Sequence, residues 1–144
     1  MRVILDASVV IAAVVTKNMR SASRLVIEAA ALGACDLIVT DEIEAEYRDV
    51  VERAKVKRAA PRGLDRLAFV GAIVGTAERV EATAKVRVVA KDPKDDMYVV
   101  AALAAGAEYV VSFDCRHLLA LGEHEGVRFV TPGEFLAVLR SETG

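Results

Sequence analysis

The chain has no tryptophan, and only four phenylalanines and three tyrosines in 144 residues. So few flat rings argue against recognition dominated by ring stacking. The two cysteines, Cys35 and Cys115, stand far apart, which excludes a disulfide framework and points to reduced thiols. No CxxC occurs, and His117 and His124 lack partners at ligand spacing, so a zinc site is excluded as well. No apolar run approaches the ~20 residues that a membrane helix requires. Met1 and Arg2 lead into a short apolar run that Asp6 interrupts, so no secretory signal core is visible. These features predict a cytoplasmic protein with no membrane association. Neither sign of charge dominates, with 19 basic and 21 acidic side chains and a net charge of −2. That excludes a strongly basic molecule and leaves local clustering to decide what the surface attracts. Internal repeats, low-complexity tracts and linkers are also missing, and the length fits one domain, residues 1–144.

What the chain does have is alternation. Short β-branched runs read as buried strands: Val3–Leu5, Leu37–Val39, Val86–Val89, Tyr109–Val111 and Val127–Val130. Segments of helical periodicity follow them, over Ser8–Val15, Ser21–Leu32, Asp41–Arg53, Leu64–Val80, Asp95–Ala105, Arg116–Leu121 and Pro132–Arg140. Pro132 suits the first turn of the last helix, with Thr131 as its N-cap. Strands alternating with helices imply crossover units and a mainly parallel sheet covered on both faces. The predicted fold class is α/β, a three-layer α/β/α sandwich.

Ligands of such sheets bind at the carboxyl ends of the strands, and the acids concentrate there. Asp6 directly follows Val3–Leu5. Asp92, Asp95 and Asp96 follow the expected Val86 strand and open the next helix, and Asp114 follows the Tyr109 strand. Each has a plain structural alternative, since aspartate is a common N-cap and acids in a first helical turn are favoured by the helix dipole. Ser8 is positioned to cap the first helix unaided, which weakens that alternative for Asp6. In TDEIEAEYRDVV the apolar residues Ile43, Tyr47 and Val50 mark the buried face, and Glu46 sits on its edge. Glu44 and Asp49 point further round. Asp6, Glu46, Asp95 and Asp114 are therefore expected to converge on one crevice. Four crowded carboxylates resist joint ionisation, and a divalent cation resolves the conflict. An all-oxygen donor set without His or Cys suits Mg²⁺ or Mn²⁺.

Four stretches in series, VILDASVVIAAVV, TDEIEAEYRDVV, VVAKDPKDDMYVVAALAAGAEYVVSFDCRHLLAL and GVRFVTPGEFL, resemble the motifs of PIN-domain ribonucleases, and most closely the VapC-like toxins of toxin–antitoxin pairs. The resemblance covers essentially the whole chain. It implies metal-dependent hydrolysis of RNA, with Asp6, Glu46, Asp95 and Asp114 as catalytic metal ligands and Ser8 as a polar helper of the first acid. Asp92 and Asp96 are auxiliary acids of the third motif. Phe113 replaces the glycine usual in the fourth motif, where one extra residue also precedes the leucine pair. The resemblance further implies a cognate antitoxin protein and a homodimer as partners.

An RNA substrate needs phosphate contacts. Arg53, Lys55, Lys57, Arg58, Arg62 and Arg66 fall close together around Pro61-Arg62-Gly63, and this basic stretch is the expected RNA-binding surface. A phospho-receiver-like regulatory module fits less well, because Asp6 is followed by Ala7 and Ser8 rather than a second acid. A phosphatase with an aspartate nucleophile would need DxD where the chain has DAS. A catalytically inactive PIN scaffold acting by protein binding is the remaining alternative.

Overall fold

The computed structural model describes residues 1–82 and 96–143. The elements in order are β1 (Arg2–Leu5), α1 (Ala7–Val15), α2 (Ala22–Ala31), β2 (Asp36–Val39), α3 (Asp41–Val51), α4 (Ala54–Ala59), α5 (Arg66–Thr76) and β3 (Glu78–Arg79). Then come α6 (Asp96–Ala105), β4 (Tyr109–Val111), β5 (Glu123–His124), β6 (Val127–Val130) and α7 (Pro132–Thr143). Among the described residues the strands form one sheet in the order β3-β2-β1-β4-β6-β5, parallel except where β5 pairs with β6. Helices flank this sheet, and the result is the expected three-layer α/β/α sandwich.

The continuous apolar strands are buried because both faces are covered. Val3, Ile4, Leu5, Val110 and Val111 are fully inaccessible, and Leu37, Ile38 and Val39 nearly so. From β1 the chain goes outward one way to β2 and β3, and the other way to β4 and β6. The β1–β4 boundary is therefore the point where strand order reverses, and a crevice opens there beyond the strand ends. The register Leu5↔Val111 sets Asp6 and Ser112 side by side at that boundary.

Several sequence expectations are corrected. The helix expected over Leu64–Val80 stops at Thr76, and Glu78–Arg79 becomes an edge strand on β2. Arg79 there makes ion pairs to Asp41 (2.6 Å) and Glu44, and the next N–H, that of Val80, bonds the Val39 carbonyl of β2 (3.0 Å). The helix expected over Asp41–Arg53 ends at Val51, and Arg53, in extended backbone, starts the separate helix α4 anchored by the buried Val56. Arg116–Leu121 is not a helix but contains a single 3-10 turn at Leu119–Leu121. The side chain of Asp114 accepts from the N–H groups of Arg116 (3.1 Å) and His117 (3.2 Å), tying that stretch into a turn. The expected strand Val127–Val130 is paired by a short strand, Glu123–His124, that the sequence does not mark, and the two make a hairpin. Glu125 (φ 48°) and Gly126 (φ 85°) form its two-residue turn, and positive φ at both positions is the requirement of a type I′ connection. Thr131 caps α7 as expected: its Oγ1 accepts from the Glu134 N–H (3.1 Å) while Glu134 accepts from the Thr131 N–H (2.9 Å), a reciprocal box. The expected strand Val86–Val89 and the residues Asp92 and Asp95 lie outside the described residues. No helix among the described residues is long and apolar enough to cross a membrane.

Candidate functional site

Asp6 leaves β1 and enters α1, with its backbone N–H on the Val111 carbonyl of β4 (3.0 Å). It is the N-cap of α1, so the expectation that Ser8 caps the helix unaided is corrected. Asp6 Oδ1 accepts from the N–H of Ser8 (3.0 Å), the N–H of Val9 (3.4 Å) and the Ser8 hydroxyl (2.5 Å). Its other oxygen, Oδ2, accepts from the Ser112 hydroxyl at 2.5 Å. The side chain is 4% exposed. Burial pushes its carboxyl above the usual range, against the opposing pull of the bonds from Ser112, Ser8 and the backbone. Four hydrogen bonds thus converge on a carboxyl whose charged form burial still disfavours.

The two hydroxyls also stitch the neighbouring strand end to it. Ser8 Oγ accepts from the Phe113 N–H (2.9 Å), and Ser112 Oγ accepts from the Asp114 N–H (2.8 Å). Sequence reading named Ser8 and missed Ser112. The signal for Ser112 was a lone hydroxyl closing the apolar run YVV, which matters only once β4 is known to lie beside β1.

Two buried tyrosines fix the backbone on either side of Asp6. Tyr47 of α3 donates its O–H to the Leu5 carbonyl, and Tyr98 of α6 accepts from the Ala7 N–H (3.0 Å). Burial raises both phenols, so they stay neutral. Tyr47 adjoins Glu46 on α3, and Tyr98 lies two residues after Asp96 at the start of α6. Each tyrosine thus docks an acid-bearing helix onto the Asp6 segment. Sequence reading placed Tyr47 on the buried face but had no means of assigning its hydroxyl.

Asp6, Ser8, Glu46, Arg53, Tyr98 and Asp114 line one cavity of about 320 Å³ at the strand-order reversal, together with Ala7, Ile11, Val50 and Met97. Three acids expected to converge therefore face the same space. Glu46 is at the edge of the buried face of α3, with its Oε1 3.6 Å from Arg53 Nη2. Arg53 also pairs with Asp49 (3.1 Å), so one guanidinium supplies positive charge at the rim. Glu44, further round the helix, is taken up by Arg79 and Arg48, which hold its carboxyl below the usual range. Asp114 has a second occupation: its Oδ2 is 3.0 Å from His117 Nδ1 while Oδ1 serves the turn. Asp96 opens α6, directly before the cavity residues Met97 and Tyr98.

The carboxylate and hydroxyl oxygens of Asp6, Ser8, Glu46 and Asp114 are the donor type that a hard divalent cation takes, although Arg53 and Met97 line the same cavity. Among the described residues, no three His, Cys, Asp or Glu side chains lie close enough together to hold one ion. Another depression of about 330 Å³, at Thr40, Asp41, Arg79 and Ala82, is a poorer candidate because its Asp41 is already bound to Arg79.

The basic residues divide among three places. Arg53 is on the carboxylate cavity; Lys55, Lys57 and Arg58 are exposed on α4; Arg62 lines a different cavity beyond it. Lys57 is paired with Glu52 (3.2 Å), and Arg66 donates to the Val51 carbonyl (2.9 Å).

In comparison with known proteins, a family model described as a PIN domain matches residues 2–116. That stretch runs from β1 into the turn after β4 and holds Asp6, Glu46, Asp92, Asp95, Asp96 and Asp114. No curated protein and no solved structure matches the chain.

Proposed function

This chain belongs to the PIN-domain family, whose members are generally nucleases that need a divalent metal, and from that premise we propose that it is an Mg²⁺- or Mn²⁺-dependent endoribonuclease, the toxin of a toxin–antitoxin pair. The observation that carries the reading is the buried Asp6 carboxyl, held high by burial and opening onto a cavity shared with Glu46 and Asp114. Asp6, Glu46, Asp95 and Asp114 would hold the cation, with Ser8 keeping Asp6 oriented. When bound, such an ion lowers the pKa of a water and stabilises charge on a phosphate and its leaving oxygen. The chain's own part is positional. The Ser8 and Ser112 hydroxyls hold the Asp6 carboxylate in one rotamer, and Tyr47 and Tyr98 hold its backbone. Arg53 offers a guanidinium at the cavity rim, where a phosphate oxygen can replace Glu46 as its partner. By the family resemblance, Asp92 and Asp96 would serve as auxiliary acids of the third motif.

The toxin role rests on the resemblance of the four motifs in series. With it go a cognate antitoxin, a homodimer and a cytoplasmic address. An inactive scaffold is the second reading, favoured by the engagement of Asp114 with His117 and of Glu46 with Arg53.

Incubation of the purified protein with RNA, in Mg²⁺ or Mn²⁺ and in EDTA, tests the proposal. Cleavage is expected only with metal, and Asp6→Asn and Asp95→Asn are expected to abolish it, while Asp92→Asn and Asp96→Asn lower it in part. No cleavage by the wild type under any metal condition would favour the scaffold.

A further inference from the structure

A second cavity, of about 450 Å³, lies at the far end of the two helices that begin at the carboxylate cavity. α1 starts with Ala7 and Ser8 on the first cavity and ends at Val15, after which Thr16 and Lys17 line the second. α4 starts after Arg53 on the first cavity and ends at Ala59, before Pro61, Arg62 and Gly63 on the second. The two helices pack against each other. At 1.5 Å of rise per residue, the length of α1 separates the cavities by about 13 Å. A few nucleotides of extended single strand bridge that distance.

Basic side chains outnumber acidic ones along the way, where Glu52 is paired with Lys57. Lys55 and Arg58 on α4, and Lys17 and Arg62 at the far cavity, are exposed and have no ion pair among the described residues. Arg24, which also lines the far cavity, is committed: it stacks on the Phe69 ring (4.7 Å) and donates to the Ala13 carbonyl (2.6 Å). Met19 at the same cavity is 63% exposed, an apolar side chain presented to water beside free cations. Unpaired cations around an open apolar surface match a nucleotide, with its phosphate on the charges and its base on the thioether. A duplex would offer no unstacked base to Met19.

We propose that this second cavity is a substrate subsite for single-stranded RNA: the strand leaves the carboxylate cavity, passes over α4, and places a phosphate between Lys17 and Arg62 with its base against Met19. The inference deepens the ribonuclease reading and rests on it. Lys17 has no basic neighbour in the nearby sequence except Arg20, so only the fold brings it beside Arg62.

The test is fluorescence anisotropy of labelled single-stranded oligonucleotides of increasing length in EDTA, with cleavage of the same series in Mn²⁺. Wild-type affinity should step upward once a strand is long enough to span α1 and α4. The double variant Lys17→Ala/Arg62→Ala should lose that step, on the order of tenfold for the longer strands, and its plot of log affinity against log salt should be shallower by about 0.7, one single-strand phosphate contact. Met19→Ala should weaken long strands without changing the salt slope. A double variant that keeps both the step and the slope, or a wild type that binds duplex as well as single strand, overturns the subsite. A wild type that cleaves no RNA of any length sinks the ribonuclease reading, and that result is distinct from either.

Discussion

Asp6 has two duties that oppose each other. As an N-cap its Oδ1 satisfies the first N–H groups of α1, worth about 1 kcal/mol. As a buried carboxylate it is held against a desolvation cost that raises its pKa. Asparagine keeps the acceptor and drops the charge, so Asp6→Asn should be at least as stable as wild type in EDTA. Asp6→Ala should be less stable than Asp6→Asn by roughly 1 kcal/mol, because the cap is lost. The pH dependence has a definite sign. A carboxyl raised in the folded state binds its proton more tightly there than in the unfolded chain. Its stabilising contribution is complete below the unfolded value of 3.8 and is lost as pH rises toward the folded pKa. The stability of wild type minus that of Asp6→Asn should therefore fall as pH rises from about 4. Chemical denaturation of both proteins across pH 3.5–8 checks this, and a flat difference would mean that burial does not perturb Asp6.

At the scale of elements, hydroxyls that join one element to another matter more than helix propensity. Tyr47 ties α3 to the end of β1 through the Leu5 carbonyl. Tyr47→Phe leaves the ring and removes the bond, so a loss of about 1–2 kcal/mol is expected. It should also lower metal-dependent activity, since Glu46 is carried by the same helix. Gly126→Ala is the comparison. No atom lies within 4 Å of the added Cβ, so its cost is the positive φ alone, about 1 kcal/mol, at a hairpin remote from the acids. Thermal melts should show both variants destabilised, with site function reduced only in Tyr47→Phe. Equal loss of function in both would show that global stability, not the α3 clamp, controls the site. The elements also mark what periodicity misses. It located β1, β2 and β4 because strands buried on both faces are nearly continuously apolar, and β6 from its alternation of buried Val127 and Phe129 with exposed Arg128. It overran α5 because the short edge strand Glu78–Arg79 is made by pairing with β2 and by ion pairs, which leave no apolar period.

At the scale of the molecule, the net charge of −2 conceals a separation of charge. Acids collect where the strand order reverses, while Lys55 and Arg58 on α4 and Lys17 after α1 are exposed cations with no ion pair among the described residues. The first half of that arrangement was legible in the sequence, since acids that follow apolar strands must stand at their carboxyl ends in a parallel sheet. Glu46 was legible from its place on the helix edge. Ser112, Tyr98 and Lys17 were not, because their roles depend on which strands and helices are neighbours. Asp114 was read only as an acid of the site, whereas it also caps the turn that follows it.

The central claim is that the cavity of Asp6, Glu46 and Asp114 gathers a divalent cation, and calorimetric titration of the metal-free protein with Mn²⁺ tests it most directly. Wild type should bind Mn²⁺, bind more weakly at low pH where Asp6 is protonated, and melt at higher temperature with the ion present. Asp6→Asn and Glu46→Gln, still folded by circular dichroism, should lose that binding and the accompanying rise in Tm. Equal Mn²⁺ affinity in wild type and Asp6→Asn, or no binding by wild type at neutral pH, would contradict the account.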